Sequence, residues 1–374
     1  MPGAPGENTK AAMAVSAVSL IPASYRSLLI NFAPSGDGYR RDMRDLLRPL
    51  IVAPMAGGPT TPRLVVAAAE AGALGFLAAG YKTPAAVEEE LRAVGGVPYG
   101  LNLFVPRPAP ADIEPLERYR RLLRAEADRY GVDLPPLRLD DDDHFPAKVE
   151  LAIAYGVPLV SFTFGVPDAP VVSALHAAGS AVLITVTSAD EARQALAAGP
   201  DALVAQGGTA GAHSSTFDPL GYRGTSTAAE VLAAVRPVTD LPVIAAGGAA
   251  SAADVRDLLG AGAAAVQCST AFLLAEEAGT RAPHRTALLS GDYRETVVTR
   301  AFTGQPARGL RNRFIDDYSA AAPAGYPAIH HLTAPIRAAA AARGDQSALH
   351  LWAGTGFASA RPGPVAALVE DLLP

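Results

Sequence analysis

From residue 50 onward the chain repeats one hydropathy theme: a short run of apolar, often β-branched residues, a Gly-rich or polar turn, then an Ala/Leu/Glu/Arg stretch at helical spacing. A strand-length apolar run followed by a helical pattern is the mark of a βα unit. Eight such runs occur, at residues 50–55, 74–79, 99–104, 158–164, 181–186, 202–206, 243–246 and 264–269. They are apolar throughout instead of alternating, as parallel strands covered on both faces are. Most begin about 20 to 25 residues apart, room enough for strand, turn and helix. The pattern predicts an α/β fold, a closed (β/α)8 TIM barrel in preference to an open doubly wound sheet.

Two intervals are longer. Residues 105–157 hold a Pro-rich turn, a charged helix near 114–130 and the acidic run Asp140-Asp141-Asp142-Asp143; residues 207–227 are rich in Gly, Ser and Thr. Barrels keep their chemistry in the loops after their strands, so both intervals are candidate site segments. After the eighth run, residues 276–345 read as helices with polar turns, a C-terminal helical cap over the barrel mouth. A short apolar helix at 365–373 is expected to return to the barrel wall. The organisation expected is a disordered leader over 1–45, a barrel over 46–275, the cap over 276–345 and a returning segment over 346–374. Lys10 and the Ser-rich, weakly hydrophobic stretch after it superficially resemble a signal peptide, but a leader suits them better.

Composition narrows the partners. The 374 residues, 49% apolar and 18% charged, suffice for a large core. A net charge of −6 and the lack of a Lys/Arg stripe argue against nucleic acid and anionic membranes. The apolar runs fall well short of the roughly 20 residues of a bilayer span. Cys268, the one cysteine, can form neither an intrachain disulfide nor a Cys-rich zinc site, and it suits a reducing cytoplasm. Barrel enzymes often oligomerise, which leaves a homodimer open.

The seventh run leads into Ala245-Ala246-Gly247-Gly248 and the eighth into Gln267-Cys268-Ser269-Thr270. Loops seven and eight of a barrel lie side by side and, with a helix N-terminus, form a phosphate cradle. Glycines let backbone N–H groups approach a phosphate, and Ser269 and Thr270 add hydroxyl donors. No G-x-G-x-x-G opening a helix is present, so a monophosphate such as FMN fits better than a dinucleotide.

Certain segments are more specific. Ala53-Pro54-Met55-Ala56-Gly57-Gly58, then Thr61-Pro62 and Ala71-Gly72-Ala73-Leu74-Gly75-Phe76, resembles the opening of nitronate monooxygenases. Asn102-Leu103-Phe104, Ser161-Phe162-Thr163-Phe164-Gly165, and Gln206-Gly207 through Ala210-Gly211-Ala212-His213 resemble that family's third-, fourth- and sixth-strand motifs. Phe302-Thr303-Gly304, Pro306-Ala307-Arg308-Gly309, Tyr326-Pro327 and Leu351-Trp352-Ala353-Gly354 extend the resemblance over roughly residues 48–360. It implies that Ala53, Pro54 and Met55 line a flavin, FMN, and that Asn102, Gln206 and Gly211 touch its ring or ribityl chain. Gly248 and Gln267, Cys268, Ser269 and Thr270 would hold its ribityl and phosphate, and His213 would face it beside the substrate. Thr209 stands where the family usually has Glu, Ala212 replaces a Gly, Thr355 stands where Gln is common, and Ser214-Ser215-Thr216 replaces Arg-Gly; these departures bear on substrate identity.

The reaction implied is oxidation of nitronates or nitroalkanes with FMN and O2 to a carbonyl compound and nitrite. A nitronate is a carbanion equivalent, so it needs an electron acceptor and a positive or hydrogen-bonding pocket more than a base. A neutral nitroalkane needs its α-proton removed, and His213 is the candidate base. His144, His176, His284, His330, His331 and His350 read as structural, and the Cys268 thiol as uninvolved. The acidic run reads as a solvated turn before a helix, lacking the glycine of a calcium loop. Arg308 and Arg311 read equally as anion-steering groups or as cap ion pairs, and Tyr318 and Tyr326 as packing under the cap in preference to lining the pocket. The rival readings are an FMN-dependent enoyl-thioester reductase using NAD(P)H, a non-catalytic flavin-binding accessory protein, and a sugar-phosphate barrel without flavin, which leaves Asn102 and Gln206 unexplained.

Overall fold

A computed structural model describes residues 43–374 and turns all eight runs into parallel strands of one closed barrel. They are β1 (Leu50–Val52), β2 (Leu74–Ala78), β3 (Tyr99–Phe104), β4 (Leu159–Thr163), β5 (Ala181–Val186), β6 (Ala202–Gln206), β8 (Val243–Ala246) and β9 (Ala265–Cys268). The ring runs in that order and closes where Val52 pairs with Cys268. Inward side chains such as Ile51, Phe76, Leu183, Val204 and Ile244 fill it, so it is a packed core and not a pore. Thr61, Thr83, Ser188, Thr227 and Ser251 cap the helices that follow β1, β2, β5, β6 and β8, each accepting from a backbone N–H in the first turn. These caps fix where each strand-to-helix loop ends.

Most of the leader expected over 1–45 lies outside the described residues. Its last turn is the helix Met43–Leu46, whose buried Met43 and Leu46 join the barrel's interior cluster beneath β1. At the other end, the helix Val365–Leu372 returns to the barrel wall, burying Val365, Leu368, Val369 and Leu372 in the shell of side chains between strands and helices.

The region over residues 276–345 is less purely helical than its sequence suggests. It holds the helices Ala282–Ser290, Arg313–Tyr318 and Ala328–Ala342, but also β10 (Thr296–Thr299) and β11 (Ala307–Leu310), paired antiparallel. A third short strand, β7 (Ala212–His213), reaches out of the loop after β6 and pairs with β11. Thr296-Val297-Val298-Thr299 is β-branched throughout, which favours a strand over another helical turn.

The long interval after β3 belongs to the same cap. Its helices Glu114–Leu122 and Arg124–Tyr130 bury Leu116, Tyr119 and Ala127 among Phe302, Phe314, Ile329 and Leu332. Buried Glu126 accepts from Arg313 at 3.0 Å and from the Tyr318 hydroxyl at 3.3 Å. The acidic run is only half solvated: Asp140 and Asp142 are exposed before the helix Phe145–Ala154, but Asp143 pairs with the buried ammonium of Lys148 at 2.8 Å and accepts the Tyr81 N–H at 3.0 Å, while Asp141 meets His331 at 2.5 Å. It therefore ties the interval to both barrel and cap. Among the described residues no helix is long and apolar enough to cross a membrane.

Glu126 is 2% exposed, so Arg313→Ala strands a buried carboxylate. Breaking a buried pair from one side costs about 3–5 kcal/mol. A clear drop in thermal midpoint by calorimetry is expected, larger than that of Arg311→Ala, whose ion pairs with Glu295 and Asp316 are at the surface.

Candidate active site

The C-terminal ends of the strands carry every sequence-predicted site residue. Gly211, Gly247, Gly248, Gln267, Cys268, Ser269 and Thr270 line one cavity, joined by Ala249, Ala271 and Gly354. Gly247 and Gly248 have φ of +113° and +84°, values that side chains other than glycine avoid. A Cβ at Gly248 would stand 2.9 Å from Thr209 Oγ1. Gly211 is required for another reason: a Cβ there would meet the Gly354 nitrogen at 2.5 Å. The backbone N–H groups of Gly248, Ala249, Thr270 and Ala271 donate to no described group, and the buried hydroxyl of Thr209 is also unpartnered. Thr270 Oγ1 accepts from the Gly354 N–H at 2.9 Å, which fixes its position and leaves its own proton to give. The helix Ala252–Gly260 contributes less than expected, because Ser251 and Asp254 occupy its first turn themselves. An anion there meets loop amides and hydroxyls, and no Lys or Arg lines the cavity.

The remaining residues stand around this cradle without lining it. Ala53, Pro54 and Met55 continue β1 beside β9, with the Ala53 N–H on the Cys268 carbonyl at 2.8 Å. Asn102 is buried in β3, and its amide nitrogen donates to Ser161 Oγ and Thr163 Oγ1, both at 2.9 Å. Gln206 ends β6 and bridges its own loop, donating to the His213 carbonyl at 3.1 Å and accepting the Ser215 N–H at 2.7 Å. Burial pushes the Cys268 thiol up to about 12, which agrees with an inert side chain.

His213 sits in β7, held by its backbone pairing to Ala307 and by a 2.9 Å bond between Nε2 and Thr303 Oγ1. Phe164, Tyr326 and Trp352 surround its ring at centroid distances of 5.6, 5.8 and 5.7 Å. Burial first, and then the charge of Arg337, lower its pKa to about 3, so it is neutral near pH 7. Arg308 is fully occupied, donating to the carbonyls of Gly208, Thr296 and Gly224 at 2.6, 2.9 and 3.0 Å. Of the two readings, cap ion pairing holds for Arg311, which meets Glu295 and Asp316, while Arg308 makes neither an ion pair nor a free anion site among the described residues.

Backbone strain gathers at the same place. Tyr81, Phe164 and Ala212 adopt φ of +69°, +78° and +65° at the ends of β2 and β4 and beside His213. Arg107 supports Phe164 by donating to its carbonyl at 3.0 Å. Tyr81, with Phe104, Tyr326 and His330, lines a second cavity beneath the cap, whose other wall carries Asp141, Asp142, Asp143 and Arg107. Sequence reasoning passed over Tyr81 and Arg337, and took Thr209 only as a departure from the family's motif. A tyrosine after a strand or an arginine in an Ala-rich helix carries no signal until the fold brings it near a site.

A barrel with an amide-lined cradle at its last two strands and a capped aromatic pocket above is the architecture of an enzyme of small molecules. The chain matches the nitronate monooxygenase family over residues 40–374 and belongs to it; it is a flavin-dependent oxidoreductase. A protein of Staphylococcus aureus (strain Newman) named "Probable nitronate monooxygenase" is 33% identical over 335 residues, 87% of this chain and 93% of its own. The nitroalkane oxidase from Streptomyces ansochromogenes superposes with a TM-score of 0.85 at 44% identity, over 88% of this chain and 96% of that one. FabK from Thermotoga maritima is more distant, with a TM-score of 0.65 at 25% identity, over 88% and 93%.

Burial holds His213, His284, His330 and His350 neutral, His213 at about 3 and His284 at about 4. An imidazole in the unfolded chain titrates near 6.5, so below about that pH the unfolded state binds protons the folded state refuses. The thermal midpoint should therefore be level above about pH 7 and fall steeply between about pH 6.5 and 4, with uptake approaching four protons on unfolding. A midpoint level across that window would contradict neutral burial.

Proposed function

We propose that this protein oxidises nitronates, using FMN and O2, to a carbonyl compound and nitrite. Four free amides, the unpartnered Thr209 hydroxyl and the two positive-φ glycines support a monophosphate-tailed flavin in the cradle. Gly247, Gly248, Ser269 and Thr270 would hold the phosphate, Gly211 and Gln267 the chain leading from it, and Ala53, Pro54, Met55, Asn102 and Gln206 the ring. When bound, the flavin supplies the electron acceptor. The protein's own work is to orient the substrate, keep water out and present neutral donors.

The observation that carries this reading is the state of His213. An imidazole depressed to about 3 is a weak base, poorly matched to pulling a proton from a neutral carbon acid. It suits a substrate that arrives already ionised, for which a neutral hydrogen-bonding ring is enough. Phe164, Tyr326 and Trp352 exclude water around it, which strengthens each polar contact that remains. The composition and single cysteine support a cytoplasmic location, and a homodimer is the assembly proposed.

The test compares propyl-2-nitronate with 2-nitropropane in air, after acid release of the cofactor has identified it as FMN by mass. Turnover of the nitronate should exceed that of the neutral compound. His213→Asn, which keeps a hydrogen-bond donor, should lower nitronate and nitroalkane turnover by similar factors, about tenfold or less. A loss confined to the nitroalkane would make His213 the base that removes its α-proton and overturn this account of it. NADPH-dependent reduction of a crotonyl thioester, without nitronate turnover, would favour the reductase.

A further inference from the structure

Arg337, in the helix Ala328–Ala342, is 7% exposed and, among the described residues, touches no carboxylate. Its Nε donates to Thr333 Oγ1 at 3.1 Å and its Nη2 to the His330 carbonyl at 2.8 Å. The guanidinium otherwise approaches only imidazole nitrogens of His330 and His350, at 3.4 Å. Burial lowers its pKa to about 10, so it remains a cation near neutrality. A buried charge without a counter-ion is costly, and neutral partners leave its field unopposed.

Tyr81 supplies the second observation. Its hydroxyl is buried, meets no hydrogen-bond partner in good geometry among the described residues, and has the Tyr326 hydroxyl as its neighbour, although the residue lines the cavity beneath the cap. The ring lies flat on His330, with centroids 4.2 Å apart and planes 3° from parallel. Its strained backbone is held by the bond from its N–H to Asp143. Burial pushes its pKa up, so the phenol keeps its proton, with only the Tyr326 hydroxyl beside it. Three carboxylates line the same cavity and are answered by other groups or by solvent: Asp143 pairs with Lys148, Asp141 with His331 and Arg138, and Asp142 is exposed and accepts the His144 N–H.

We propose that Tyr81 and Arg337 form an anion subsite in the active-site pocket. Tyr81 donates its hydroxyl proton to an oxygen of a small, planar, delocalised oxyanion. Arg337 is a positioning residue that acts through His330 and His350 and makes the pocket prefer the anionic nitronate over the neutral nitroalkane. The inference rests on the nitronate reading for its substrate, but not for its test.

Nitrate has the shape and charge the subsite requires and does not react. Trp352, the one tryptophan, lies 5.5 Å from His350 and 5.7 Å from His213, so its fluorescence reports on the pocket. The holoprotein is titrated with nitrate at constant ionic strength, with gluconate as the balancing anion. A saturable change is expected in the wild type. Tyr81→Phe should weaken nitrate about tenfold or more, yet leave the thermal midpoint equal or higher, because a hydroxyl without a partner contributes nothing to stability. Arg337→Gln should abolish saturation, and Arg337→Lys, which keeps the charge, should restore most of it. Linear, unsaturable quenching in the wild type, or unchanged nitrate affinity in Tyr81→Phe, would overturn the proposal even if Arg337→Gln fails to fold. Tyr81-dependent nitrate binding without nitronate turnover would remove the proposed reaction and keep the subsite. Turnover without saturable nitrate binding would do the reverse.

Discussion

Two backbone pairings, Ala212 with Arg308 and His213 with Ala307, hold the working parts of this molecule together. They stitch a barrel loop to a strand of the cap almost a hundred residues later in the chain. On the barrel side, the His213 carbonyl receives Gln206 at the end of β6. On the cap side, Thr303 fixes the His213 ring and Arg308 clamps the carbonyls of Gly208 and Gly224. The loop between β6 and β7 also carries Thr209 and Gly211 against the cradle. One short antiparallel contact thus sets both the shape of the cradle and the position of the His213 imidazole.

The two halves of the site differ in electrostatics. The cradle offers an anion amides and hydroxyls that carry no net charge, as oriented backbone dipoles can. The pocket beneath the cap mixes aromatic rings with Asp141, Asp142 and Asp143, holds His213, His330 and His350 neutral by burial, and has Arg337 behind it without a counter-ion among the described residues. Neutral rings at short range and a cation behind them suit a substrate that brings its own negative charge. A strong base would require a raised or ordinary imidazole pKa, and burial works in the opposite direction.

Much of this was legible in the sequence, and its limits follow from range. The eight strands were visible because each is a continuous apolar run, and their observed ends differ from the runs by three residues at most, at β1, where Pro54 lacks an N–H to extend the ladder. The residues lining the cradle were legible because the last two strands of a barrel have a fixed neighbourhood. The strand β7 was not, since two residues have no periodicity and their partner lies far along the chain. The same holds for the acidic run, whose ion pairs to Lys148 and His331 need the folded interval to exist. His330 and His350, read from sequence as structural, do pack internally, but the long cap helix brings them to Arg337, a relation no local pattern encodes.

The most direct measurement of the central claim is an anaerobic absorbance spectrum of the purified protein mixed with propyl-2-nitronate and, separately, with NADPH. Bleaching of an oxidised-flavin spectrum by the nitronate alone is the result this account predicts. A colourless protein, or bleaching by NADPH with no response to the nitronate, would contradict it.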